Sequence, residues 1–338
     1  MTSPQSARAL RMRGVAIVIL CLLVSSILAI AQDAADNLVS AGTDLFNKHK
    51  FNEAYANFEK ANKLRAEQCS PCLTNMAMCK MRMGDEGSAV KLTVKAYSVA
   101  ATPHDRADAL SVRGQIQLSF GIRSNDKKKL ADSAESFRAA FKEDPTAWVF
   151  VLKTAEALFR LEKDDEGKRE LQALLDHERT GPNADLARLY LSDPRRARLE
   201  FAPAITITTL TGERIELAKL TGKVVVLDFW ATSCPACRAS LSDLKDLLKK
   251  YPAEKLVLIS VSADKEDQAW RDFVAKNQMS WYQCRDASVI DAFDVRAFPT
   301  YLILDREGIV RERVVGMDDQ QSVAYKLKEP LKKLLEQR

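Results

Sequence analysis

The spacing of apolar residues changes once along this chain, and no other feature restricts its folding as strongly. From about residue 36 to 190, small and apolar side chains recur at helical spacing with few β-branched runs. After Phe201 the apolar residues gather into short runs at 205–208, 215–217, 224–229, 256–261, 301–304 and 309–315. Helical segments fall between or after them at 236–250, 265–277, 286–293 and 319–336. One packing scheme cannot serve both halves. The first, 36–191, is predicted all-helical. The second, 203–338, is predicted α/β: a hairpin turning at Thr211-Gly212-Glu213, then a central sheet packed by helices on both faces. Ser192-Asp193-Pro194-Arg195-Arg196 ends the helical half, because proline interrupts a helix and the charges favour solvent, so the linker is placed at 192–202. Two domains also suit a length of 338 residues.

The N-terminus carries a three-part export signal: Arg8, Arg11 and Arg13, an apolar run over 15–30, and Ala29-Ile30-Ala31 before Gln32. Cleavage after Ala31 gives a signal peptide of residues 1–31. The alternative is a retained anchor over 15–31, since the run is near the ~17 residues that span a bilayer. Cys21 does not fit a lipoprotein signal, because Leu20 stands where a small residue is needed. Either way the rest of the chain is expected outside the cytoplasm, in a periplasmic or similar compartment where disulfides form. The net charge of +5 falls to +2 without the three leader arginines, and no Lys/Arg cluster is interleaved with aromatics, which excludes a nucleic-acid partner. Membrane contact is expected only through the leader.

Within the helical half, Gly42, Ala54, Phe58 and Ala61 are followed by Ala77, Gly84, Ala89 and Ala96, with Ala54 and Ala61 recurring 35 residues later. Phe137, Ala140 and Pro145 end a third copy, whose front half around Gly114 is separated by an insertion holding Asp126-Lys127-Lys128-Lys129. Ala155, Leu158, Leu171 and Leu174 mark a degenerate fourth. Small residues at such positions let paired helices approach closely and stack into a continuous core. This spacing resembles the tetratricopeptide repeat. The resemblance implies an array that binds peptides or proteins.

The chemistry concentrates at Cys234-Pro235-Ala236-Cys237, which follows a buried-looking strand and opens a helix. A thiol there faces unpaired backbone N–H groups and the positive end of the helix dipole, both of which favour thiolate. The two cysteines are close enough to close a small disulfide ring, the minimum equipment for thiol–disulfide exchange. A zinc site would need two further ligands, and this half offers Cys284 and no histidine. Asp228, inside the apolar run, is costly to bury as an ion, so its pKa is expected to rise. That would let it accept a proton from a nearby thiol.

With Ala202-Pro203, Gly222-Lys223-Val224-Val225, Asp228-Phe229-Trp230-Ala231-Thr232 and Phe298-Pro299-Thr300 in order around the dithiol, residues 201–338 resemble the thioredoxin-fold domains of the TlpA/ResA type. These are exported thiol–disulfide oxidoreductases. The resemblance implies Cys234 as nucleophile, Cys237 as resolving thiol, and a redox-active Cys234–Cys237 disulfide. It also implies Asp228 as proton acceptor and no cofactor. Pro299 falls on the cis-proline position, Phe298 offers its backbone to an extended partner segment, and Trp230 joins this docking set from beneath. Two departures stand out: Ser233 replaces a common tryptophan, and Ser240 stands where ResA-type proteins carry a glutamate. The implied partners are protein dithiols or disulfides, with a membrane-bound electron donor upstream.

Cys69-Ser70-Pro71-Cys72 stays open between a structural disulfide, a pair of part-buried thiols and a second redox station; Leu73 rules out haem attachment, which needs histidine there. Cys79, seven residues after Cys72, is expected in the core. The function expected of the whole is disulfide exchange, in the reducing direction, with partners chosen by the repeats. The alternatives are a thiol peroxidase of the alkyl hydroperoxide reductase type and a non-enzymatic repeat scaffold. The peroxidase wants Pro-x-x-x-Thr-x-x-Cys, which Cys234 lacks.

Overall fold

The computed structural model describes residues 32–316 and 323–336. The leader therefore lies outside the described residues, as does the start of the helix predicted from 319. No helix among the described residues is long and apolar enough to cross a membrane. The chain divides into two compact units between Arg198 and Leu199.

Among the described residues the first unit is helical throughout: α1 (32–47), α2 (Phe51–Leu64), α3 (Ser70–Arg82), α4 (Glu86–Val99), α5 (Pro103–Ser124), α6 (Lys127–Glu143), α7 (Val149–Arg160), α8 (Asp164–His177) and α9 (Pro182–Ser192). From α2 onward each helix packs on the next. The small and aromatic markers at 54, 58, 61, 77, 89, 96, 137 and 140 are all buried. Glycine sets two of these approaches. A Cβ on Gly42 of α1 would stand 2.7 Å from the Phe58 ring of α2, and one on Gly114 of α5 would stand 2.9 Å from the Phe137 ring of α6. No other residue leaves room for a ring against the helix backbone.

The insertion expected at Asp126–Lys129 takes the form of added helix rather than a separate segment. α5 simply runs on for 22 residues, Asn125 turns the chain in the left-handed region at φ 50°, and Asp126 caps α6 by accepting the N–H groups of Lys128 and Lys129. Residues 194–198 belong to the first unit. A 3-10 turn at Pro194–Ala197 buries Ala197 against the helices, and the Arg198 guanidinium donates to the Phe159 carbonyl at 2.6 Å and to both Asp164 oxygens.

The second unit opens with the hairpin β1 (Thr206–Thr208) and β2 (Arg214–Glu216). Among the described residues its sheet has five strands in the order β5-β4-β3-β6-β7: β3 (Val224–Trp230), β4 (Leu256–Ser262), β5 (Tyr282–Arg285), β6 (Thr300–Leu304) and β7 (Val310–Val315). β3, β4 and β5 run parallel, while β6 and β7 are antiparallel to their neighbours. β3 and β4 are buried along their whole length, as central strands covered on both faces must be.

Five α-helices complete this unit among the described residues: α10 (Pro235–Ala239), α11 (Leu241–Lys250), α12 (Asp267–Lys276), α13 (Ala287–Ala292) and α14 (Val323–Glu336). α11, α12 and α14 pack on the sheet face that carries Val224, Val226 and Trp230. The hairpin and α13 cover the opposite face, which carries Val225, Leu227 and Phe229. β5 has no counterpart among the strands expected from the sequence, and the single helix expected over 236–250 is two. Ser240, fully buried, sits between α10 and α11 and turns its hydroxyl back to the Ala236 carbonyl at 2.9 Å.

Candidate functional site

β3 ends at Trp230, and four residues later Cys234 caps α10 with an extended backbone, φ −84° and ψ 110°. Pro235 suits the first helical turn, where its missing N–H costs nothing. The Cys234 and Cys237 sulfurs are bonded at 2.18 Å, and Cys234 Sγ accepts the Cys237 N–H at 3.1 Å. The two are not equivalent. Cys234 is half-buried, whereas Cys237 is 3% exposed and belongs to the core of the α11 face. An incoming group meets Cys234 first.

The approach to Cys234 is held by a residue that sequence reasoning missed. Asp264, just past β4, accepts the Thr232 N–H at 2.9 Å, the Thr232 hydroxyl at 2.7 Å and the Ser262 hydroxyl at 2.7 Å. The Arg238 guanidinium donates to the Thr232 carbonyl at 3.2 Å. The loop between β3 and α10 is thus tied on both sides. Only an Asp just beyond an apolar run marked this position in the sequence, and that is too common a pattern to single it out.

Asp228 lies on the same sheet face as Cys237, because side chains alternate along β3 and its neighbours Val226 and Trp230 share a cluster with that thiol. It is 2% exposed. The parallel register sets Ser260 beside it, and the Ser260 hydroxyl donates to Asp228 Oδ2 at 2.7 Å. Ser260 in turn accepts the Trp281 indole N–H at 2.8 Å. Indole can only donate, so the Ser260 oxygen accepts from Trp281 while its own proton is available to Oδ2. Oδ1 is buried without a hydrogen-bond partner. Burial raises the Asp228 pKa to about 7, against a smaller lowering by the Ser260 hydrogen bond. Tyr301, paired with Asp228 across β6, is buried too, and desolvation followed by the Asp228 charge pushes its phenol up.

The Phe298–Pro299 peptide is cis, as expected. Thr300 is paired with Phe229, so Pro299 falls beside Trp230, at the end of β3 from which the Cys234 loop departs. Pro299 is buried, its carbonyl accepts the Gly316 N–H at 2.7 Å, and Phe298 is 36% exposed. Trp230 requires a correction as a docking residue. It is 1% exposed and packs against Phe273 with ring centroids 5.5 Å apart, so it supports the site from within and offers no surface to a partner.

In the first unit Cys69 and Cys72 are bonded at 2.00 Å and lie 3% and 0% exposed. Cys79 and Cys284 are buried free thiols, and desolvation pushes them up to about 11 and about 12. No group of three or more His, Cys, Asp or Glu side chains is gathered as a metal site among the described residues.

The AhpC/TSA family model matches residues 200–313. The thiol-disulfide oxidoreductase ResA of Bacillus cereus is 32% identical over 117 residues, which cover 34% of this chain and 68% of ResA. The thioredoxin-like protein YneN of Bacillus subtilis is 34% identical over 130 residues, 37% of this chain and 76% of YneN. A crystal structure described as a DsbE-type thiol:disulfide interchange protein of Chlorobium tepidum superposes with a TM-score of 0.36 at 27% identity. It covers 39% of this chain and 94% of its own.

Proposed function

Since the chain belongs to the ResA-type thiol-disulfide oxidoreductases, we propose that it is exported and reduces disulfides in protein partners through Cys234 and Cys237. The helical domain, 36–191, serves as a tetratricopeptide-like array that holds the partner. The unequal exposure of the two cysteines carries this reading. With the pair reduced, Cys234 thiolate attacks one sulfur of the partner disulfide and releases the other as a thiolate that takes a proton from solvent. Asp228 carboxylate then accepts the Cys237 proton, and Cys237 attacks Cys234 Sγ. The Cys234–Cys237 bond forms and the partner leaves fully reduced. An upstream membrane electron donor returns two electrons. Phe298 and Pro299 take the extended partner segment.

Export rests on the leader pattern of residues 1–31, and the reducing direction rests on family resemblance. A reduction potential below about −230 mV is expected, on the reducing side of the glutaredoxins. The direct test is trapping: in the native compartment Cys237→Ser should accumulate mixed disulfides on Cys234, identified by mass spectrometry. A failure to trap any partner would defeat the proposal.

The AhpC/TSA match favours a second reading, peroxide reduction by Cys234. Against it, Ala231 and Leu227 stand where that chemistry wants threonine and proline. Peroxide consumption faster than disulfide exchange would reverse the ranking. A Cys234→Ser chain that kept every partner interaction and phenotype would instead favour a scaffold.

A further inference from the structure

The first unit repeats, in another fold, the local frame of the Cys234 site. Cys69 caps α3 with an extended backbone, φ −97° and ψ 90°, and its sulfur accepts the Cys72 N–H at 3.2 Å, with Pro71 in the first helical turn. Its own N–H is taken by Asn62 Oδ1 at 3.2 Å. A further contact sets Cys69 apart: the Arg65 guanidinium lies 3.3 Å from its Sγ. A guanidinium gains little from a neutral disulfide and a great deal from a thiolate. Arg65 also pairs with Asp36 of α1. Ala35, Leu38 and Val39 of α1 join Ala61 of α2 in covering the two sulfurs.

A purely structural staple explains this arrangement poorly. Cross-linking residues three apart removes little freedom from the unfolded chain, because the closed loop is so short. A cation against the sulfur, moreover, stabilises the reduced form. We propose that Cys69–Cys72 is a second thiol–disulfide exchange site, covered by α1, that accepts electrons from a dithiol and thereby loosens α1.

When α1 lifts, a thiolate of the donor dithiol attacks Cys69 Sγ. The Cys69–Cys72 bond breaks, and its electron pair goes to Cys72, which takes a proton. The donor's second thiolate attacks its own sulfur in the mixed disulfide, the donor disulfide forms, and Cys69 leaves as a thiolate facing Arg65. Two electrons have moved from the donor to the pair. Cys69 thiolate now competes with Asp36 for the same guanidinium, so reduction weakens the tie that holds α1 over the site.

The test uses the full chain carrying Cys234→Ser and Cys237→Ser, so that the outcome is independent of the function proposed for that pair. Cys69 and Cys72 are followed by differential alkylation and mass spectrometry during incubation with dithiothreitol under native conditions. Asp36→Asn should speed reduction about tenfold by freeing α1, and should do so without touching either sulfur. Arg65→Gln should slow alkylation of the reduced Cys69 about tenfold at pH 7 by raising its pKa, with Arg65→Lys restoring most of the rate. Reduction only at the rate of global unfolding, unchanged by Asp36→Asn, would overturn the proposal. So would a Cys69 alkylation profile against pH that Arg65→Gln leaves in place. Circular dichroism checks each fold; should Arg65→Gln lose helix, the Asp36→Asn rate decides alone.

Discussion

Replacing Asp228 by asparagine probes the buried carboxylate through stability and through turnover at once. Asparagine keeps an oxygen for the Ser260 hydroxyl and removes only the charge. The parent group is neutral in both folded and unfolded chains below about pH 4. Its folded pKa is raised from 3.8 to about 7. Between those values the unfolded chain ionises while the folded chain does not, so stability falls as pH rises, by about 1.4 kcal/mol per pH unit. Above the folded pKa the loss is complete, and a rise of that size amounts to about 4 kcal/mol. Allowing about 1 kcal/mol for an imperfectly matched hydrogen bond, Asp228→Asn should be the more stable chain by about 3 kcal/mol at about pH 8.5. The advantage should vanish near pH 4.5. Guanidinium unfolding of the oxidised chain at both pH values measures this, followed by tryptophan fluorescence, because three of the four tryptophans, Trp230, Trp270 and Trp281, lie in the second unit and only Trp148 in the first. The same substitution should slow resolution of the mixed disulfide about a hundredfold for want of a proton acceptor. It should also remove the rise of the parent rate around pH 7. A stability difference equal at the two pH values would refute the assignment of the charge penalty, and an undiminished rate would refute the proton transfer.

Asp264→Ala should release the Thr232 loop, lowering the exchange rate several-fold and stability by about 2 kcal/mol through the lost hydrogen bonds, measured by stopped-flow reduction and denaturant melts. Gly114→Ala should push the Phe137 ring off α5 and destabilise the helical unit by about 1–3 kcal/mol, while purified chain keeps its exchange rate with a small disulfide. Cys79 and Cys284 should resist alkylation at about pH 8 until the chain unfolds, since burial holds both as thiols; rapid native labelling of either would contradict their burial.

The features visible in the sequence share a physical cause: a period or a local rule. Central strands buried on both faces must be continuous apolar runs, which makes β3 and β4 visible, and the Asp inside β3 stands out because a charge is expensive there. β5 is invisible for the complementary reason. It is a four-residue rim strand, Tyr-Gln-Cys-Arg, exposed at both ends, and its pairing with β4 supplies order that its composition does not announce. The break at Ser240 is hidden because apolar spacing runs straight through it, and the Lys127–Lys129 run reads only as an insertion until Asp126 is seen to cap the helix that it opens. The Trp281–Ser260–Asp228 chain depends on register between β3 and β4, and the Asp264 tie depends on where two strands end. Neither exists before the sheet is assembled. The Cys69 pair is legible as a pair, but Arg65 and α1 become part of it only through helix packing.

The two rims of the sheet have a consequence for how this protein behaves in a crowd. At one rim the Leu210 N–H donates to the Gln283 carbonyl of β5 at 2.7 Å. At the other, the Glu200 carbonyl accepts the Val310 N–H at 2.8 Å, Phe201 bridges Ile309, and Arg313 pairs with the Glu200 carboxylate at 3.0 Å. Segments of the chain itself thus occupy donors and acceptors at both rims, and Arg311, Glu312 and Arg313 place charge along the rest of β7. An open, flat, apolar rim invites sheet-to-sheet polymerisation. Here an extended polypeptide finds its way along both rims partly obstructed by the chain's own segments and charges.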